Sequence, residues 1–134
     1  MEALTTLTTT EKGKHAELLA QTALLANGYT VLEPIAPEPF DLAVRNPTTR
    51  ETMYVQVKTA YLRDSDEDIR RYGDAYLVVR GAPTSGKPYP PEDVDSFIAV
   101  WQGRVFMFPN EGLREYWVKA SEVSDKWTEI FYEI

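Results

Sequence analysis

The sequence contains no cysteine, a single histidine and no long apolar run, and each of these features excludes a class of protein. Without cysteine, the 134-residue chain has no disulfide and no thiolate metal site, and His15 alone excludes the usual zinc sites. No segment approaches the roughly 20 apolar residues that cross a bilayer. Residues 1–10 lack the basic and apolar regions of a signal peptide. We therefore expect one intracellular, cytoplasmic domain spanning residues 1–134.

Positive charge is also scarce, since 14 Lys and Arg face 21 Asp and Glu, for a net charge of −7. Nucleic-acid-binding domains are usually basic because their cations neutralise phosphates. A nucleic-acid substrate therefore requires that the acidic residues lie elsewhere or that metal ions offset the charge of the site. Residues 82–87, Ala-Pro-Thr-Ser-Gly-Lys, lack the glycine spacing of a Walker phosphate loop.

A first helix is predicted from residue 8 or 10 to Asn27. Thr8 and Glu11 have capping-box spacing, in which each side chain bonds the other's backbone N–H. Gly28 follows where a left-handed helix end is common. Glu17 falls on the small, apolar stripe of this helix, where a charge is costly unless it is paired or binds a ligand. The alternative is a solvated Glu17 at the margin of the stripe.

Alternating apolar residues and turn signals predict the other elements. Strands are expected at residues 29–35, 40–45, 52–60, 75–80, 96–101 and 104–108, with turns at 46–49 and 102–103. Residues 63–74 are expected to form a loop or a short exposed helix, and residues 81–93 a loop. Residues 111–118 are expected to form an irregular segment or a short helix. A helical turn is expected to start at residue 121, and residues 126–134 could form a helix or a strand. The order predicts an α/β fold with a mixed central sheet and helices on its faces.

Two neighbouring predicted strands carry a polar set. Side chains alternate between the faces of a strand. One face is expected to be apolar and to share a core: Phe40, Leu42, Val44, Val55 and Val57. Asp41, Gln56 and Lys58 are then displayed together on the opposite face. A carboxylate, an amide and an ammonium group suit a metal-and-water site, although the spacing alone suits an ordinary polar surface as well.

Several short motifs follow one another in order. They are Lys12-Gly13-x-x-Ala16-Glu17, Gly28-Tyr29-Thr30-Val31, Phe40-Asp41-Leu42, Val55-Gln56-Val57-Lys58-Thr59, Lys87-Pro88-Tyr89 and Asp95-Ser96-Phe97-Ile98-Ala99-Val100. In this order, across residues 11–108, the chain resembles the PD-(D/E)XK nuclease superfamily. It is most similar to the branch with Gln in the middle position of (D/E)-x-K, which includes endonucleases encoded in group I introns.

This resemblance implies a restriction-endonuclease-like fold, in which helices flank a mixed central β-sheet. It implies a divalent-metal-dependent endonuclease that hydrolyses DNA in the manner of homing endonucleases or resolvases. Glu17, Asp41, Gln56 and Lys58 would be the catalytic residues. Mg²⁺ or Mn²⁺ would be held by Asp41, Gln56 and the Val57 carbonyl, with Glu17 bound directly or through water. A homo-oligomer, dimer or tetramer, and a phage or mobile-element origin are also implied.

Six basic residues are candidate phosphate contacts: Lys12, Lys14, Arg63, Arg70, Arg71 and Lys87. The alternative for residues 63–74 is a surface whose charges pair with one another. Gln56 replaces a carboxylate of the common pattern, which leaves two formal negative charges and predicts weaker Mg²⁺ binding. The alternative function is therefore a non-catalytic module that keeps the nuclease fold and binds nucleic acid or protein. RNA is the alternative substrate.

Overall fold

A six-stranded sheet forms the centre of the molecule, for which a computed structural model describes residues 6–133. The elements in chain order are α1 (Thr9–Ala26), β1 (Thr30–Leu32), β2 (Leu42–Arg45), β3 (Thr52–Thr59), β4 (Tyr61–Arg63), α2 (Asp66–Tyr72), β5 (Tyr76–Arg80), β6 (Ser96–Trp101), β7 (Arg104–Pro109), β8 (Glu115–Lys119), a 3₁₀ turn (Ala120–Glu122), α3 (Val123–Lys126) and β9 (Thr128–Glu129). No helix in this part of the chain is long and apolar enough to span a membrane.

The central sheet is mixed, as predicted. Its strand order is β1-β2-β3-β6-β7-β9, and β3 and β6 run parallel while its other neighbouring strands run antiparallel. Strands β4, β5 and β8 form a second, antiparallel sheet. Only Ala60 separates β3 from β4, so the chain passes directly from one sheet to the other. The strand predicted at residues 75–80 lies in this second sheet.

Helix α1 covers one face of the central sheet. Its predicted capping box is present, because the Thr8 N–H donates to Glu11 Oε1 at 2.8 Å and the Glu11 N–H donates to Thr8 Oγ1 at 3.2 Å. At the other end, Gly28 has φ 82°, which an L side chain rarely adopts. The helix buries Ala16 and Ala20 against the sheet. Small side chains on this stripe let the helix backbone approach the strands closely.

The other face carries an aromatic cluster beneath the second sheet and α3. Phe97, Phe106, Phe108, Tyr116 and Trp127 are buried there. The rings of Phe108 and Trp127 stack with centroids 4.3 Å apart. Helix α3 contributes Val123 to this cluster, and β5 and β8 present their own apolar side chains to it.

Three element predictions were wrong. Residues 111–118 form no helix, because Glu115–Lys119 is a strand with buried Tyr116 and Val118 alternating with exposed neighbours. The strand predicted at 29–35 shortens to Thr30–Leu32, and no strand had been expected at Tyr61–Arg63. Residues 63–74 do contain a short exposed helix, α2. Residues 1–5 of the N-terminal stretch, and residue 134 of the last predicted segment, lie outside the described residues.

We predict that Gly81→Ala destabilises the protein and that Gly13→Ala does not. A Cβ at position 81 would lie 2.1 Å from the Leu113 carbonyl oxygen and 2.7 Å from the Tyr116 ring, whereas one at position 13 meets nothing within 4 Å. Forcing atoms into a packed site costs about 1–3 kcal/mol, and Ala gains about 1 kcal/mol over Gly within a helix. Urea unfolding of both variants measures the difference. Equal midpoints would contradict the close approach at Gly81.

Candidate active site

Asp41 lies immediately before β2, where the pairing of β2 with β3 ends. Its N–H donates to the Val55 carbonyl at 2.9 Å, and its carboxylate Oδ2 accepts from the Val57 N–H at 2.9 Å. Strand β2 begins at Leu42, opposite Val55. The carboxylate therefore takes the place of a backbone partner for Val57. Asp41 is thus held at the edge between β2 and β3, next to Val57, and does not lie on a regular strand face.

Phe40 does not share the core face of Leu42, so this prediction was wrong. Its ring packs against Tyr54 with centroids 4.5 Å apart, and the Tyr54 side chain is exposed. Regular alternation starts only at Leu42, because the backbone at Asp41 bends to bond Val55. Leu42, Val44 and Val55 are buried against α1, as expected, and Val57 packs against the same cluster.

Gln56 is buried on the face of β3 opposite α1. Its side-chain Nε2 donates to the Tyr89 hydroxyl at 2.8 Å. Its Oε1 is buried and accepts no hydrogen bond from any residue between 6 and 133. Leaving a buried acceptor unsatisfied costs about 1–3 kcal/mol of folding stability. The Oε1 atom therefore has a lone pair available for a ligand, at a cost to the stability of the fold.

Lys58 lies on the same face as Gln56, as predicted, and meets the same tyrosine. Its Nζ is 3.4 Å from the Tyr89 hydroxyl and 5.2 Å from the centroid of the ring. A cation near an aromatic ring is attracted by the negative face of the ring. The ammonium group is therefore restrained beside Gln56.

Glu17 lies close enough to Asp41 for the charge of Asp41 to influence its ionisation. Partial burial, followed by the charge of Asp41, raises the pKa of Glu17, and Lys14 opposes this shift. Burial also raises the pKa of Asp41, which the hydrogen bond from Val57 and the charge of Lys58 partly offset. Both carboxylates therefore ionise less readily than free ones, as expected where a cation would complete the charge balance.

The donor set fits one hard divalent cation. Such ions prefer carboxylate, amide and carbonyl oxygens, which Glu17, Asp41 and Gln56 supply. The N–H and C=O of a strand residue project toward the same neighbouring strand. The Val57 carbonyl therefore lies on the β2 side, beyond the last paired residue of that strand. Among residues 6–133, no three side chains of His, Cys, Asp or Glu are grouped so that they could hold a metal ion, so Glu17 and Asp41 are not joined by a third such side chain.

Tyr89 is held in place by its backbone. Its N–H donates to the Gly81 carbonyl at 3.0 Å, and its carbonyl accepts from Asn110 Nδ2 at 3.0 Å. Asn110 is buried, and its Oδ1 accepts from the Tyr116 hydroxyl and the Gly112 N–H. The sequence placed Tyr89 in the Lys87-Pro88-Tyr89 motif and gave no role to Asn110. Only the tertiary packing reveals these contacts, since neither residue carries a motif for them.

Two open cavities flank these residues. One, of about 350 Å³, lies between α1 and the proline-rich segment before β2, and Lys14, Glu17 and Asp41 are among its lining residues. The other, of about 480 Å³, is lined by Gln56, Tyr89, Lys87 and four prolines, among others. Glu17 and Asp41 therefore face one cavity, and Gln56 faces the other.

The predicted phosphate contacts divide into two groups. Lys14 and Lys87 line the cavities beside the site, and Lys12 is exposed on the same helix as Lys14. Arg63 instead lies 3.8 Å from Asp68 and packs over the Trp117 ring, so part of the segment 63–74 pairs within itself.

The remaining basic candidates and two unforeseen arginines lie further along the chain. Arg70 and Arg71 are on the exposed helix α2, and neither lines the two cavities beside the site. Arg80 and Arg114, which the sequence did not single out, line a cavity of about 210 Å³ together with Gly86, the neighbour of Lys87. Glu115 lines the same cavity, so the two arginines there have an acidic neighbour.

The chain is similar to known proteins in its fold and in its sequence. The fold resembles that of I-Ssp6803I, a bacterial homing endonuclease, with a TM-score of 0.61 and 22% identity over 85% of this chain and 77% of the other. No curated protein matches the sequence significantly. A family model described as PD-(D/E)XK endonuclease matches residues 7–125. The chain therefore belongs to the PD-(D/E)XK endonuclease family.

Proposed function

We propose that this protein is a divalent-metal-dependent endonuclease that hydrolyses DNA at a site formed by Glu17, Asp41, Gln56 and Lys58. One observation carries the proposal, namely the buried Oε1 of Gln56, which has no hydrogen-bond partner among the described residues and belongs to the neighbour of Val57, whose N–H binds the Asp41 carboxylate. An ordinary polar surface would expose this amide to water. Membership of the endonuclease family supports hydrolysis of a nucleic acid, and DNA and the metal ion are the specific parts of the proposal.

The chemistry requires an activated water and stabilisation of the charge that develops on phosphate. A bound Mg²⁺ or Mn²⁺ would supply both, as a Lewis acid that lowers the pKa of water. Asp41, Gln56 Oε1 and the Val57 carbonyl would hold it, and Glu17 would join them directly or through water. Two anionic ligands and two neutral ones imply modest affinity for the ion.

The chain's own groups would perform the remaining steps. Lys58, restrained on Tyr89, is placed to donate hydrogen bonds to a phosphate oxygen or to orient the attacking water. The raised pKa of Glu17 makes this carboxylate a better proton acceptor than a free glutamate. Asp41 remains hydrogen bonded to the backbone, which keeps its position fixed while charge moves within the site.

DNA would contact basic residues on both sides of the site. Lys14 lies on α1, Arg80 ends β5, Lys87 lies in the loop after β5, and Arg114 directly precedes β8. Such contacts position the backbone and carry no sequence information. We propose that this path, and not the arginines of α2, binds the phosphates beside the scissile bond.

Cleavage of both strands of a duplex needs two sites, and we therefore propose a homo-oligomer. Leu18 and Leu25 are exposed and lie seven residues apart on one side of α1, and Phe131 is also exposed. These side chains offer apolar surface for a second copy. The likeness to a homing endonuclease favours a gene carried by a mobile element.

We predict that Asp41→Asn and Lys58→Met each lower DNA cleavage at least about 100-fold, because each removes a group that acts in the transition state. Plasmid, branched and single-stranded DNA, each with Mg²⁺ or Mn²⁺, provide the assay. Lys126→Met in α3 is the matched control and should retain full activity. Wild-type protein that cuts no DNA, or activity that survives Asp41→Asn, would contradict the proposal, and faster cleavage of RNA would reassign the substrate.

Asp41→Asn should also make the metal-free protein more stable at pH 7. Asparagine can still accept from Val57, whereas the ionised aspartate is disfavoured by burial, which raises its pKa in the folded state. The gain should shrink as the pH falls through this raised pKa and vanish below the ordinary value of 3.8, where the carboxyl is neutral in both states.

Urea unfolding in EDTA at pH 7 and pH 4.5 measures this gain, which should be smaller at pH 4.5. Added Mn²⁺ should stabilise only the wild type, because a ligand that binds the folded state stabilises it. If metal-free Asp41→Asn is less stable than the metal-free wild type at pH 7, the Asp41 charge stabilises the fold. That result would contradict the expectation that a cation is needed to offset this charge.

Replacing Lys87, Arg80 or Arg114 with Gln should weaken DNA binding. Each change should also lower the slope of log affinity against log salt concentration by the amount expected for about one phosphate contact. Arg70→Gln and Arg71→Gln are the matched controls on α2 and should change neither quantity. Fluorescence anisotropy of labelled DNA in EDTA, over a series of salt concentrations, separates binding from cleavage. The reverse pattern would move the DNA path onto α2.

A further inference from the structure

The Tyr89 hydroxyl contacts both polar side chains that β3 contributes to the proposed site. Gln56 Nε2 donates to it at 2.8 Å, and Lys58 Nζ lies 3.4 Å away. An amide NH₂ and an ammonium group have protons to donate but no electron pair to accept with. The hydroxyl oxygen is therefore the acceptor for both groups.

The contact with Gln56 matters because an amide has two unlike ends. A carboxylate at position 56 would present an oxygen in either orientation, whereas the amide presents oxygen in one and NH₂ in the other. In the observed orientation the NH₂ donates to the Tyr89 hydroxyl. The Oε1 atom is buried and has no hydrogen-bond partner among the described residues. A cation requires this orientation, since NH₂ cannot act as its ligand.

Tyr89 is held rigidly enough to fix the point at which the NH₂ of Gln56 is bound. Its backbone is bonded to Gly81 and Asn110, and its ring meets the ring of buried Phe97 edge-on with centroids 6.0 Å apart. The position of the hydroxyl is therefore set by the core beneath the site. Side chains that orient metal ligands typically contribute 10- to 100-fold to metal affinity.

We propose that Tyr89 is a positioning residue that holds the Gln56 amide with Oε1 free for the divalent cation. The chain needs it because position 56 carries an amide and not a carboxylate. This inference rests on the proposed metal site. It assigns no contact between Tyr89 and the cation, and it predicts that the importance of the hydroxyl depends on which residue occupies position 56.

The test is a double-mutant cycle on Mn²⁺ affinity, measured by titration calorimetry of the DNA-free full chain. Tyr89→Phe keeps the ring and removes the hydroxyl, and it should weaken Mn²⁺ binding about 10-fold or more. In a Gln56→Glu background the same change should alter affinity by no more than about twofold, the scatter expected of uncoupled positions. Tyr61→Phe is the control, since the Tyr61 hydroxyl bonds Glu115 in the second sheet, and it should leave affinity unchanged.

Three outcomes would overturn the inference. They are unchanged affinity in Tyr89→Phe, an equal loss of affinity in the wild-type and Gln56→Glu backgrounds, and loss of the folded circular dichroism spectrum in Tyr89→Phe. The last would mean that the hydroxyl supports the fold and not the ligand. A wild type that binds no Mn²⁺, or whose binding survives Asp41→Asn, would instead contradict the proposed function itself, so the two failures are distinguishable.

Discussion

The hydrogen bond between the Asp41 carboxylate and the Val57 N–H is the interaction on which the site depends. Strand β2 begins at Leu42, opposite Val55, two residues short of the position that would pair with Val57. The Asp41 carboxylate takes the place of the missing backbone acceptor. Val57 lies between Gln56 and Lys58, so this one contact sets Asp41 in register with both side chains. The fold thereby fixes the spacing of an acid, an amide and an amine without using a loop to carry them.

The acidity of the chain is compatible with this chemistry because charge is distributed unevenly. The two carboxylates of the site have raised pKa values, which a cation would offset. Other acidic residues lie elsewhere, as in the first turn of α2, which contains Asp66, Glu67 and Asp68. There they interact favourably with the positive end of the helix dipole. The net charge of −7 therefore describes the whole chain and says little about the surface beside the proposed site.

The sequence predicted the features that arise from local signals. The capping box of α1, the β2–β3 hairpin and the tight turn between β6 and β7 each depend on a few adjacent residues, and all are present. The second sheet was not predicted, because β8 is recognisable as a strand only through its pairing with β5. The role of Tyr89 was missed for a similar reason, since Asn110 holds it across a gap in sequence.

The most direct test of the account is the crystal structure of the protein with Mn²⁺, with the ion located by its anomalous scattering. The proposed metal site requires an anomalous peak bonded to Asp41, to Gln56 Oε1 and to the Val57 carbonyl. Glu17 should contact the ion directly or through one water. A peak that lies elsewhere, or that is bonded to Asp41 while Gln56 turns its NH₂ toward it, would contradict the account.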